Sequence, residues 1–167
     1  AQMRAVAEHC TVVGIDEVCA ALRGEPLPPN AVLITFDDGY KTCLEVALPI
    51  LQEFDLRAVF FIATDYVGNR KLYWWDRVHY LVKHSPLPAL ELDYPDRRTI
   101  DLGDRAAAID ALIKIIKNEH GLDLAHFLDQ VTTASAAPWD ASIERALCDD
   151  LIMTWDEVRA MRDAGMD

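Results

Sequence analysis

Apolar and polar residues alternate along the chain in blocks of two kinds. The segment QMRAVAEH at 2–9 suits a helix, and TVVGI at 11–15, rich in β-branched residues, predicts a short strand. Asp16 is placed to N-cap EVCAALR, and Gly24 stands where a helix C-terminus wants a residue free to take positive φ. The loop EPLPPN then delivers AVLITF at 31–36, a near-continuous apolar run of the kind buried on both faces in parallel sheets. A helix from Thr42 to Phe54 follows, with Leu44, Leu48 and Leu51 along one side and Pro49 bending it or opening a new first turn. RAVFFIAT at 57–64 predicts a second buried strand, so strand, helix and strand make one right-handed βαβ unit.

After Gly68 the pattern changes. YWWDRVHYLVKH at 73–84 predicts a helix, and ALELDYPDRRTIDL at 89–102 alternates about a Pro-Asp turn as a small hairpin does. Helices are expected at 104–119, 122–133 and 139–149, with Gly121 punctuating the first two. Thr154 and Glu157 form a capping box that opens WDEVRAMRDA, and Gly165 closes it. No internal repeat or low-complexity segment interrupts this order.

At 167 residues and 51% hydrophobic, the chain can bury the core of one globular domain. Its 28 acidic and 16 basic residues give a formal charge of −12, which would repel a phosphate backbone or an anionic membrane. Nucleic acid is thereby set aside as a partner, and a neutral or cationic ligand fits better. Cys10, Cys19, Cys43 and Cys148 show no C-x-x-C pair and no zinc spacing, and are read as packed free thiols. No apolar run reaches the roughly 18 residues of a membrane span. The chain opens at Ala1 in a helix and stops at Asp167 just past Gly165, so both ends look cut.

The segment that carries chemistry is TFDDGY, where Asp37 and Asp38 sit side by side at the end of an apolar strand and Gly39 lets the backbone turn. Successive strand residues face opposite ways, so the two carboxylates cannot both enter the core. Ligands bind at the C-terminal ends of parallel strands, and a lone Asp there would be read as a helix N-cap. Two of them repel, unless a divalent cation engages one and leaves the other free to take a proton.

TFDDGY resembles the first motif of the polysaccharide deacetylases, the NodB-type carbohydrate esterases. PLPPNAV before it, ALPILQEFDLRAVFFIATDYVG after it and MTWDEVRAMRDAGMD at the end are similar to the same family, so the likeness covers about 1–70 and 150–167. Residues 72–150 look like a mainly helical insertion with a small hairpin. The resemblance implies an α/β fold, an incomplete deformed (β/α) barrel, and metal-dependent hydrolysis of N-acetyl groups on an amino-sugar polysaccharide or oligosaccharide. By motif position Asp37 is the general base and Asp38 a ligand of a divalent metal, usually zinc.

The family's two metal histidines belong just beyond Asp167, so the expectation is the N-terminal part of a deacetylase domain, inactive by itself. His79 and His84 are five apart on a helix, His120 and His126 straddle Gly121, and His9 lies by a helix end; none has metal-pair spacing. Strands lacking neighbours are expected to promote self-association. A non-catalytic carbohydrate-binding module on the same fold and a different metal-dependent hydrolase are the rival readings. Family habit favours the cell envelope, whereas the free thiols lean towards the cytoplasm. Tyr73, Trp74 and Trp75 could stack a sugar, but their helical spacing favours packing, as it does for Trp139 and Trp155.

Overall fold

A computed structural model describes residues 1–167. The chain divides into two compact units, Ala1–Lys71 with Cys148–Asp167, and Leu72–Leu147.

In the first unit α1 (Gln2–His9) leads to β1 (Thr11–Val12), which pairs in parallel with β2 (Ala31–Val32). Between them lies α2 (Ile15–Leu22), which begins before the expected cap. Gly14 occupies the N-cap position and donates its N–H to Glu17 Oε2 at 3.1 Å, so Asp16 becomes a first-turn residue and Ile15 joins the helix instead of the strand. Glu17 also receives a hydrogen bond from the Arg57 guanidinium, which holds its carboxyl below the usual range. A depressed carboxyl stabilises at neutral pH and loses that contribution as the solution is acidified through its folded-state pKa.

The run 31–36 is not one doubly buried strand. It divides into β2 and β3 (Thr35–Phe36), and each half pairs with a different neighbour. Val13 N donates to Val32 O at 3.0 Å on one side; Val59 N donates to Ile34 O at 2.9 Å on the other. β4 (Val59–Phe60) runs parallel to β3, with Thr35 opposite Val59 and Phe36 opposite Phe60. The Phe36 and Phe60 rings stack at 4.8 Å. Of the six residues only Ile34 is buried. Three two-stranded sheets exist in all, and none is closed.

The helix between β3 and β4 starts at Lys41 and passes through a π-helical turn, Cys43–Ala47, before α3 (Leu48–Glu53). Pro49 has no N–H to donate four residues back, and Leu48 N–H reaches Cys43 O, five residues away, instead. Leu48 and Leu51 nevertheless enter a core with Ile34, Cys43, Leu56, Ala58, Met153, Met161 and Met166. α4 (Thr64–Asn69) follows β4, and α9 (Trp155–Asp163) starts with the Thr154–Glu157 capping box. The tail returns beside β4, with Asp167 N donating to Ala58 O and Phe60 N to Asp167 O at 3.0 and 2.8 Å.

The second unit holds α5 (Trp74–His84), the antiparallel hairpin β5 (Ala89–Leu92) and β6 (Arg98–Asp101), α6 (Arg105–Asn118) and α7 (Leu124–Ser135). α8 (Ala141–Leu151) begins here, and the division between the units falls within it. Hairpin and helices bury Val78, Leu81, Leu90, Leu92, Leu112, Phe127 and Val131 together. Asp104 and Asp123 cap α6 and α7 by accepting from Ala107 N and His126 N. Gln130 Oε1 accepts from both Asp93 N and Tyr94 N, tying the hairpin turn to α7. No helix is long and apolar enough to cross a membrane.

Candidate active site

β3 ends at Phe36, and the backbone reverses over the next three residues. Gly39 N–H donates to Asp37 O at 2.9 Å, closing a three-residue turn with Asp38 at its centre. Asp38 has φ 71 and Gly39 φ 83, so the left-handed turn begins one residue earlier than the glycine alone implies. Left-handed backbone at a non-glycine residue is strained, and strain of this kind concentrates at functional sites.

The turn gives the two carboxylates different surroundings. Asp37 is exposed, and its side chain has no ion pair or hydrogen bond within the protein. Asp38 is half-buried, and its charge reaches the Cys43 thiol, whose pKa is pushed up first by burial and then by Asp38. Both line an open concavity of about 390 Å³ with Phe61, Ile62 and Ala63. The helix that follows starts at Lys41, so neither aspartate holds its N-cap position.

Gly39 is buried, and a Cβ there would touch Ile62 Cδ1 at 3.5 Å and Val67 Cγ2 at 3.6 Å. Those are ordinary contacts, so the cost of a side chain comes from the backbone. Gly39→Ala should lower stability by about 1 kcal/mol in urea unfolding, since an L-residue pays roughly that to stay left-handed. An unchanged midpoint would contradict the assigned turn.

Sequence reasoning missed what fixes this turn from outside. Gly39 O accepts from Met153 N at 3.0 Å, and Tyr40 bridges to Ile152. Lys41 Nζ donates to Asp149 O and lies 3.7 Å from Glu157 Oε1. Arg70, at the C-cap of α4 with φ 52, fans its guanidinium over the same segment. It donates to Cys148 O at 2.9 Å, Ile152 O at 3.2 Å, Met153 O at 2.8 Å and Asp149 Oδ1 at 2.8 Å. An arginine between Asn69 and Lys71 reads as loop polarity, and only its contacts disclose the role.

Residues 24–86 match the family model for polysaccharide deacetylase, a stretch that contains the aspartate turn and both of its strands. The match takes in under half of the chain and supports a partial domain of that kind. No curated protein matches the chain. Among solved structures, the deacetylase domain of BpsB from Bordetella bronchiseptica is similar at 17% identity and a TM-score of 0.45, covering 99% of this chain. The chain spans 40% of the length of that solved domain.

No three His, Cys, Asp or Glu side chains converge on a point where a metal could sit. Catalytic zinc takes three protein ligands, so Asp38 with its neighbours here does not fit a complete metal centre.

Proposed function

We propose that these residues form part of a hydrolase that removes N-acetyl groups from an amino-sugar polysaccharide or oligosaccharide, with β2, β3 and β4 in one arc of a deformed (β/α) barrel. The observation that carries the reading is the position of the aspartate turn inside the family match: an exposed carboxylate with no protein partner stands on an open concavity, beside a second carboxylate in a strained turn. Asp37 is the general base. It takes a proton from water as the oxygen bonds to the acetamide carbonyl carbon; the C–N bond then breaks, leaving acetate and a sugar amine that has gained a proton. An uncharged glycan suits a chain of net charge −12, since no phosphate or carboxylate on the ligand is repelled.

Asp38 offers one carboxylate to a divalent cation, zinc by family resemblance, and the other ligands are not among these residues. Zinc titrated into the 167-residue chain should therefore reveal no tight equimolar site by calorimetry. Such a site would overturn the incomplete ligand set. The hydrolase itself is tested by acetate release from N-acetylated glycans.

A further inference from the structure

On α5, Trp75 and His79 lie one turn apart, and on α6 Ile113 and Lys117 do the same. With Trp74 these side chains line an open concavity of about 310 Å³ in the second unit. Trp74 packs on the core, as its helical spacing suggested, but Trp75 does not belong to that cluster. Tyr73 stacks on one face of Trp75 at 4.5 Å with ring planes 8° apart. Trp74 meets Trp75 at 5.2 Å and 82°. The two indoles thus form a corner, one plane backed by a buried tyrosine and the other nearly perpendicular to it. Both remain half-buried, and the exposed Lys117 ammonium has no ion pair within the protein.

We infer that this corner is a glycan subsite that takes one pyranose ring, with the C–H face of the sugar on Trp75 and its hydroxyls hydrogen-bonded to Lys117 and His79. A pyranose pairs an apolar face with a polar rim, as this concavity pairs a flat aromatic wall with donors at its edge. A nucleic acid would meet the chain's negative charge. The choice of a glycan rests on the proposed function and extends it to a unit that does not contain the aspartates.

The probe is the β-1,4-linked tetramer of N-acetylglucosamine, titrated into the 167-residue chain and followed by tryptophan fluorescence and calorimetry. Saturable binding is expected. Trp75→Ala should weaken it about tenfold through the lost ring contact, and Lys117→Ala about threefold through the lost hydrogen bond. Lys117 is exposed, so its variant keeps the fold whatever happens to Trp75→Ala. No saturable binding, or wild-type binding in both variants, overturns the subsite. Binding lost in Asp37→Asn and kept in both other variants also overturns it, while leaving the hydrolase intact. Binding that depends on Trp75, with no acetate released by a protein that holds this chain together with its remaining ligands, supports the subsite and sinks the hydrolase.

Discussion

Asp37→Asn, in a protein that contains this chain together with its remaining ligands, should lower the rate of acetate release by about 10² to 10⁴, the range that a positioned general base contributes. Asparagine keeps the size of the side chain and cannot accept the proton. The change should fall on kcat and leave KM nearly alone, because a near-isosteric residue continues to line the same concavity. Stability should hold within about 0.5 kcal/mol, as for an exposed site without partners. Unimpaired acetate release would remove Asp37 from the chemistry.

Arg70→Ala should lower stability by about 3 kcal/mol in urea unfolding, because main-chain carbonyls would lose a charged donor. The side chain is only 12% exposed, so water cannot readily replace it. Lysine offers one ammonium where the guanidinium spreads over four residues, and should rescue little. Arg70→Gly separates the two components of the effect: it loses the same hydrogen bonds but relieves the φ of 52, and should recover about 1 kcal/mol relative to alanine. A loss below about 1 kcal/mol for alanine would mean that the carbonyls find other partners.

Those two residues differ in how openly the sequence declares them. The turn at Asp37 is legible because two acids after ITF conflict with burial, and the conflict has few physical resolutions. The helices of the second unit are legible too, since their apolar residues recur over several turns, and in the first unit the 154–157 capping box marks the start of α9 outright. The split of 31–36 is not, because a run of apolar residues cannot say which neighbour pairs with which half. The start of α2 moved for a similar reason: Asp16 is a good cap in isolation, yet Glu17 binds Gly14 N while also meeting Arg57, forty positions away in the chain. Arg70 is the extreme case, since its partners lie nearly half the sequence distant.

Arg70 has one more implication. Its bond to Cys148 O, together with the Cys148 Sγ contact to Lys71 O at 3.4 Å, holds the points where the chain leaves and re-enters the first unit side by side. Seventy-six residues, Leu72–Leu147, thus depart and come back through a single doorway. A few glycines and serines could span that gap, because closing so short a loop costs little entropy. Every β-pairing around the acidic turn lies on the near side of that doorway, so none of them draws on a strand from the excursion.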